Sequence, residues 1–199
     1  MLLSRRVLLS VVAASAALGS AARAAEIDPE SPRPVGNPDA KVTVEEWFSL
    51  TCTHCADFAK ETFPEIKAKL IDTGKVRWVF RDFPLDQVAL LAAQVAHYLP
   101  PDRYEPFVLA LFASQDRWAF AQGVNTTDEL WKMAALAGMN KADFDKAIAD
   151  TKLRNWILQE QSVAQKKFGI DSTPSFVIGG KVYPGEMPYD AFVKLLPGT

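Results

Sequence analysis

The chain of 199 residues has few of the residue types on which several protein classes depend. It contains two cysteines and two histidines, which excludes a scaffold of several disulfides and leaves few soft ligands for a metal. Its 22 basic and 24 acidic side chains give a formal net charge of −2, so it lacks the basic excess of a nucleic-acid surface. Repeats and low-complexity tracts are also missing. We therefore expect a globular protein without a nucleic-acid partner, in agreement with its 49% hydrophobic content.

The first 24 residues have the pattern of an export signal. Arg5 and Arg6 precede an apolar run over 7–22, and small residues up to Ala24 form a site that a signal peptidase could read. Polar and small residues interrupt the run, which favours a cleaved leader over a permanent membrane span. The paired arginines fit a twin-arginine leader, but Sec signals also contain such pairs, so both routes stay open. The pattern predicts a periplasmic protein, cleaved near Ala24.

The rest of the chain divides by composition. Residues 25–40 hold four of the thirteen prolines and little apolar material, which predicts an extended N-terminal arm rather than a packed element. Residues 41–85 have the pattern of a strand, a helix and a strand, and such a unit implies parallel pairing. Helix follows helix over 86–168, and 169–199 returns to two strands and a closing helix. The predicted class is α/β: a βαβ and ββα arrangement around a small mixed sheet, with an inserted helical subdomain.

Local signals set the expected boundaries in the first unit. Runs of β-branched and aromatic residues predict strands over 41–48 and 75–81. The helix between them should begin at Thr51 as N-cap and end at Gly74. Because Pro64 lies inside the helical pattern, we expect a kink near Phe63. Further along the chain, Gly179-Gly180 predicts a tight hairpin turn.

Two residues, Thr53 and His54, separate Cys52 from Cys55. Haem attachment would require histidine directly after the second cysteine, where the chain has alanine. A zinc site needs about four ligands, and there is no second cysteine pair. Buried structural thiols are a further alternative, although an exported protein exposes such thiols to oxidation and mispairing. The spacing favours a redox-active dithiol that needs neither a metal nor a bound cofactor.

The position of the pair at the start of a helix predicts different roles for the two sulfurs. Cys52 falls in the first turn, where free backbone N–H groups and the helix dipole stabilise an anion, so we predict it as the attacking thiolate. His54 is close enough to donate a hydrogen bond or positive charge to that thiolate; an exposed histidine without a role is the alternative. Cys55, one turn further along, should be less exposed and act as the resolving thiol.

The segment Phe-Ser-Leu-Thr-Cys-Thr-His-Cys at 48–55, the helical insertion and Ser-Thr-Pro at 172–174 resemble the thioredoxin-fold disulfide oxidoreductases of the DsbA type. The resemblance spans roughly 40–196. It implies a cis bond between Thr173 and Pro174 facing the cysteines, where backbone groups could pair with an extended segment of a protein substrate, here called the client. Thr53 stands where the family's best-known member has proline, at a position that tunes the thiolate. We assign these three residues to the client-binding surface.

Glu46 matches a buried acidic residue that the family uses as a proton relay for the resolving cysteine. Strand alternation puts Val42, Val44 and Glu46 on one face, so an inward-facing Glu46 would have a raised pKa and could exchange a proton with Cys55. An outward-facing carboxylate is the alternative that alternation leaves open.

These observations predict an exported oxidoreductase that introduces disulfides into reduced, cysteine-containing proteins. We expect a monomer, and the resemblance implies reoxidation by a DsbB-like membrane oxidase. A disulfide isomerase or reductase of the same fold is one alternative, but such isomerases usually dimerise through an added N-terminal module, for which residues 25–40 are too short. A protein-binding module with a structural cysteine pair is the other.

Overall fold

The computed structural model describes residues 28–198, and the predicted signal peptide lies outside the described residues. The strands are β1 (Arg33–Val35), β2 (Val42–Phe48), β3 (Val76–Asp82), β4 (Ser175–Ile178) and β5 (Lys181–Pro184). The helices are α1 (Thr53–Glu61), α2 (Phe63–Ile66), a π-helical segment (Lys67–Ile71), α3 (Gln87–His97), α4 (Pro101–Ala113), α5 (Gln115–Trp118), α6 (Thr126–Leu136), α7 (Lys141–Ala149), α8 (Thr151–Phe168) and α9 (Tyr189–Val193).

The strands form one mixed sheet in the order β1-β3-β2-β4-β5. β2 and β3 run parallel, as the βαβ pattern predicts, and β4 lies antiparallel on the other side of β2. The hairpin between β4 and β5 is also confirmed. Its turn residues Gly179 and Gly180 both have positive φ, at 56° and 80°, which glycine adopts without the steric cost that a Cβ brings.

The prediction of an unpacked arm over 25–40 is wrong for Arg33–Val35. These residues pair antiparallel with β3 as the edge strand β1. Arg33 is buried, and its Nη2 donates to the carbonyl of His97 at 2.7 Å. Proline content misled the sequence interpretation because an edge strand bonds on only one side and therefore tolerates Pro34.

The helix after the cysteine pair breaks where Pro64 predicts a kink. α1 ends at Glu61, and Pro64 sits in the first turn of α2, where its missing N–H leaves no helical bond unmade. The predicted N-cap is wrong: α1 begins at Thr53, with Cys52 as N-cap. Thr51 instead donates its hydroxyl to Asp86 Oδ2 at 2.7 Å, which links the active-site loop to the N-cap of α3.

The succession of helices predicted over 86–168 is found as α3 to α8, of which α5 is a single short turn between α4 and α6. The insertion shares its core with the sheet. Phe58 of α1 packs on Phe176 of β4 at 4.7 Å between ring centroids, and Phe48 of β2 packs on Phe112 of α4 at 5.6 Å. Shared packing therefore fixes the insertion against the helix that carries the cysteines. Within residues 28–198, no helix combines the length and apolar character that crossing a bilayer requires.

Candidate active site

The two cysteines lie just beyond the end of β2, at the start of α1. Both are free thiols, and they differ in accessibility: Cys52 keeps 8% of its surface exposed, whereas Cys55 keeps none. Cys52 ends the loop after β2 as the N-cap of α1, and Cys55 is enclosed one turn further in. An incoming thiolate could therefore reach Cys52 but not Cys55, which is the order of exposure that the sequence predicts.

Local hydrogen bonds lower the pKa of Cys52 to about 5, from an ordinary value of 9.0. The largest cause is the Cys55 thiol, which donates to the Cys52 sulfur, and this outweighs the opposing effect of burial. A contact with Thr173 and the backbone N–H groups of Cys55 and His54 lower the pKa further. Since two pH units separate this pKa from neutrality, about 99% of Cys52 would be thiolate at pH 7.

Thr173 and Pro174 face the cysteines, joined by the expected cis peptide bond. In its protonated form, Cys52 donates its thiol to the Thr173 carbonyl oxygen at 3.3 Å. The Thr173 hydroxyl is a separate group: it is buried and has no hydrogen-bond partner within the described part of the chain. It is therefore free to donate to a Cys52 thiolate. β4 begins directly after Pro174, and this position holds a main-chain carbonyl against the reactive sulfur.

Glu46 lies on the core face of β2, which decides between the two orientations that alternation left open. Its side chain is 2% exposed, and its Oε2 accepts a hydrogen bond from Trp78 Nε1 at 3.1 Å. Burial raises its pKa to about 8, against a smaller opposing effect of Trp78. The carboxyl group is therefore mostly protonated at neutral pH.

Cys55 lies close enough to Glu46 for the two to interact. Burial raises the pKa of the Cys55 thiol well above its ordinary value, and the hydrogen bond to Cys52 adds to this. Negative charge on Glu46 would raise it further. The pair of cysteines thus consists of one thiolate and one protonated thiol, and the neutral carboxyl group of Glu46 leaves the thiol without a nearby negative charge on that residue.

The side chain of His54 pairs with a carboxylate instead of with the Cys52 sulfur. Its Nδ1 lies 2.9 Å from Oε1 of Glu186, and the imidazole does not hydrogen-bond to Cys52. That bond and the negative charge of Glu186 raise the pKa of His54, and Cys52 adds a smaller electrostatic effect. His54 therefore acts on the thiolate through its charge, while its backbone N–H contributes the direct interaction.

Sequence reasoning missed Gln115, which joins the insertion to the active-site segment. It begins α5, is 7% exposed, and donates its Nε2 to the carbonyls of Leu50 at 2.8 Å and Cys52 at 3.0 Å. Glu186 was missed as well. Neither residue lies near the cysteines in sequence, so only their placement in the fold reveals them. Thr53 is exposed at the first position of α1, beside Phe120 and Gln115.

One group of possible metal ligands occurs among residues 28–198, formed by His54, Asp57 and Glu186, whose ligand atoms lie within 4.8 Å of one another. All three are exposed, and His54 already binds Glu186. Surface carboxylates commonly reach this spacing without a metal, and we assign none.

Comparison with known proteins agrees with this geometry. A family model described as Thioredoxin matches residues 29–197. The chain belongs to the thioredoxin family. Within that family it is similar to α-DsbA1 of Wolbachia pipientis, whose crystal structure superposes with a TM-score of 0.77 at 34% identity. That match covers 83% of this chain and 88% of the Wolbachia chain, which makes this family member one of the DsbA type.

Two relatives known by sequence extend the comparison. The DsbA thiol:disulfide interchange protein of Burkholderia cepacia is 27% identical over 172 residues, covering 85% of this thioredoxin-family chain and 76% of the relative. A Rickettsia bellii protein with the provisional name protein-disulfide oxidoreductase is 30% identical over 147 residues. That match covers 73% of this chain and 56% of the relative, so the chain spans little more than half the length of its Rickettsia counterpart.

Proposed function

We propose that the protein is an exported thiol–disulfide oxidoreductase that introduces disulfides into other exported proteins. The supporting observation is the asymmetry of its cysteines: Cys52 keeps 8% of its surface exposed and has a pKa lowered to about 5, while Cys55 is fully buried and has a raised pKa. A sulfur that is stable as an anion is a good leaving group, so a disulfide containing Cys52 is readily reduced and acts as an oxidant. The similarity to proteins named DsbA supports thiol–disulfide exchange as the reaction.

The first step transfers the disulfide to the client as a mixed disulfide. A client thiolate attacks Cys52 Sγ, the new client–Cys52 bond forms, and the Cys52–Cys55 bond breaks. Cys55 leaves with the electron pair and takes up one proton, because its thiol form is favoured by burial. In this proposal the neutral carboxyl group of Glu46, which interacts electrostatically with Cys55, supplies the proton.

The second step releases oxidised client. A second client thiolate attacks the client sulfur of the mixed disulfide, forming the client disulfide, and Cys52 departs as the thiolate. The Cys55 thiol then donates to the Cys52 anion, the contact that contributes most to its low pKa. Two electrons have moved from client to enzyme.

The client segment is held by main-chain groups in this proposal. The carbonyl of Thr173 lies 3.3 Å from Cys52 Sγ and belongs to the turn leading into β4. An extended segment beside it would bond through its own backbone, as in strand addition, with little demand on client sequence. Thr53 and Pro174 would border the same approach.

Continued turnover requires a partner that accepts the two electrons. We propose a membrane oxidase of the DsbB type for this role, a periplasmic location, and a monomer as the working unit. The reaction needs no cofactor bound to this chain, since the two thiols carry both electrons.

The decisive experiment mixes oxidised protein with a reduced dithiol peptide and follows peptide oxidation by mass. We expect one peptide disulfide per enzyme disulfide, and Cys52→Ser should abolish the reaction while leaving the fold intact. A binding module would bind the peptide equally well with either residue. In a scrambled-disulfide assay, an isomerase in its reduced form would restore native pairing efficiently, and that result would reassign the protein within its fold.

A further inference from the structure

The turn that leads into Cys52 is bonded to the helical insertion. Residues 49–52 form this turn, which is closed by a hydrogen bond from the Cys52 backbone N–H to the Ser49 carbonyl at 3.0 Å. Thr51 lies within the turn, and its hydroxyl donates to Asp86 Oδ2 at 2.7 Å. Asp86 is the N-cap of α3, the first helix of the insertion. The residue directly before Cys52 is therefore tied to the start of that helix.

Asp86 binds with both oxygens of its carboxylate. Oδ1 accepts from the backbone N–H of Ala89 at 2.8 Å and so caps α3, while Oδ2 accepts from Thr51. Asp86 is exposed, and an exposed side chain usually loses conformational entropy when it forms a hydrogen bond. Here the cap already fixes the carboxylate, so the bond to Thr51 costs little more. The start of α3 thus provides a rigid acceptor for Thr51.

A directional chain of hydrogen bonds ends on Asp86. The Thr51 hydroxyl has one hydrogen, which it donates to Asp86, so it can only accept from Ser49 Oγ, at 3.2 Å. Ser49 is 1% exposed, and its Oγ accepts in turn from the backbone N–H of Leu85 at 3.3 Å. Each group in the chain donates once, and each bond strengthens the next by polarisation. The chain therefore fixes the turn at both Ser49 and Thr51.

The charge of Asp86 by itself would oppose a thiolate. A nearby negative charge disfavours a second one and would raise the pKa of Cys52. The pKa of Cys52 is instead lowered to about 5, by the Cys55 thiol first and also by the backbone N–H groups of Cys55 and His54. These donors reach the sulfur only if the turn holds it at the start of α1. Asp86 can therefore favour the thiolate through position alone.

We infer that Asp86 is a positioning residue: through Thr51 it fixes the turn that holds Cys52 at the start of α1. The inference rests on the proposed oxidoreductase function and adds the helical insertion to the parts of the molecule that set the reactivity of the attacking sulfur. Gln115 of the same insertion bonds to the Cys52 carbonyl at 3.0 Å. The insertion therefore holds the turn by a side chain at Thr51 and by the main chain at Cys52.

The first test removes the hydroxyl that joins the turn to Asp86. Thr51→Val keeps the shape of the side chain but cannot donate. The midpoint of the thiolate titration at 240 nm should move to higher pH, and at a given pH the ratio of thiolate to thiol should fall about threefold to tenfold, the equivalent of one hydrogen bond. The equilibrium constant for oxidation of glutathione by the protein should fall by a similar factor, because the thiolate stabilises the reduced form. Thr51→Ser keeps the hydroxyl and should restore both wild-type values.

The variant Asp86→Ser separates position from charge. Serine keeps an oxygen that can cap α3, but its side chain is too short to offer Thr51 a second acceptor. The change also removes a negative charge, which by itself would lower the pKa of Cys52. A rise of that pKa therefore supports positioning, whereas a fall would show that Asp86 acts by charge and would overturn the inference. Combining Asp86→Ser with Thr51→Val should add little to either single change, because both break the same bond.

Tyr98 and Asp150 provide a matched control within the insertion. The Tyr98 hydroxyl donates to Asp150 Oδ2 at 2.8 Å, and Asp150 Oδ1 caps α8 by accepting from the Leu153 N–H at 2.9 Å. This arrangement repeats that of Thr51 and Asp86 at another helix start. Tyr98→Phe should lower the free energy of unfolding by an amount similar to Thr51→Val and leave the thiolate titration unchanged. Equal shifts of the titration in both variants would overturn the inference.

The titration and the peptide-oxidation assay decide different questions. If the wild-type protein oxidises no peptide, the proposed function fails, but the titration of Thr51→Val still shows whether the bond to Asp86 positions Cys52. If the wild-type protein oxidises the peptide and Thr51→Val titrates at the wild-type midpoint, the function stands and the positioning role is refuted.

Discussion

Gln115, which belongs to the helical insertion, hydrogen-bonds to the backbone of Cys52. Its Nε2 donates to the Cys52 carbonyl at 3.0 Å and to the Leu50 carbonyl at 2.8 Å. The Cys52 carbonyl has a second donor in the backbone N–H of Ala56, so a single glutamine joins the loop after β2 to the first turn of α1. The insertion therefore helps to define where the reactive sulfur stands.

Replacing Gln115 by methionine keeps the length of the side chain and removes both donations. We expect a loss of about 1–3 kcal/mol in the free energy of unfolding, because the buried Leu50 carbonyl loses its donor. We also expect the pKa of Cys52 to rise, since the turn that directs N–H groups at its sulfur is no longer fixed. Denaturant unfolding and thiolate absorbance at 240 nm measure the two effects.

Gln94 provides the matched control. It is also buried, and its Nε2 donates to the carbonyls of Ala147 and Asp150, both at 2.9 Å, within the insertion. Gln94→Met should cost similar stability and leave the thiolate pKa unchanged. If both variants shift the pKa equally, Gln115 has no special link to Cys52.

The thiolate itself should titrate near pH 5 in reduced protein. A pKa lowered from 9.0 to about 5 stabilises the reduced state at pH 7 by about 2.7 kcal/mol, equivalent to roughly 60 mV of greater oxidising strength. Between pH 5 and 9 the unfolded thiol is protonated while the folded one is ionised, so the stability of reduced protein rises with pH and is lost again as pH falls through 5.

Ultraviolet titration and pH-dependent unfolding of reduced protein measure these quantities, with Cys52→Ser as the control that should show neither effect. A Cys52 that titrates near 9 would remove the physical basis of the oxidant function.

Glu46→Gln should make the protein more stable at neutral pH and slower in exchange. The wild-type carboxyl titrates near 8 when folded and near 4.5 when unfolded, so its contribution to stability is intact below 4.5 and is lost as pH rises through 8. At pH 7 that loss is on the order of 3 kcal/mol, and glutamine avoids it while still accepting from Trp78.

Without the proton of Glu46, formation of the mixed disulfide should slow, as stopped-flow measurements with a single-thiol peptide can determine. Equal stability of the two proteins across pH 4–9 would show that this carboxyl group is not held neutral.

Glu186→Gln should make the Cys52 thiolate less stable, because it lowers the pKa of His54. The carboxylate of Glu186 raises the pKa of His54 by hydrogen bonding and charge. The variant should lower the pKa of His54 and leave less positive charge beside Cys52 at pH 7, so the pKa of Cys52 should rise slightly. Histidine NMR titration and thiolate absorbance would detect both shifts, and Glu129→Gln, on α6, serves as a distant control. An unchanged His54 pKa would contradict the ion pair.

Much of the fold could be predicted because local patterns and tertiary structure agree in it. Alternating and continuous apolar runs locate β2, β3 and β4, and the break at Pro64 follows from a single missing N–H. β1 escaped prediction because three residues are too few to show a period, and because the proline content that indicates an arm is also acceptable at a sheet edge.

The residues of the candidate site were also only partly predictable from the sequence. Cys52 and Cys55 could be found because their spacing is local, and Glu46 because strand alternation carries it inward. Gln115 and Glu186 lie 63 and 132 positions from their respective partners Cys52 and His54, so no sequence period connects them. The orientation of His54 was missed for this reason: its strongest partner is supplied by a distant loop.

The pairing of β1 with β3 has a consequence for how the N-terminus can be handled. β1 covers the outer edge of β3, and a cut that removed residues through Val35 would leave that edge with open main-chain groups. Open edges invite a second chain to add its own strand. We expect shortened versions that start after Val35 to self-associate.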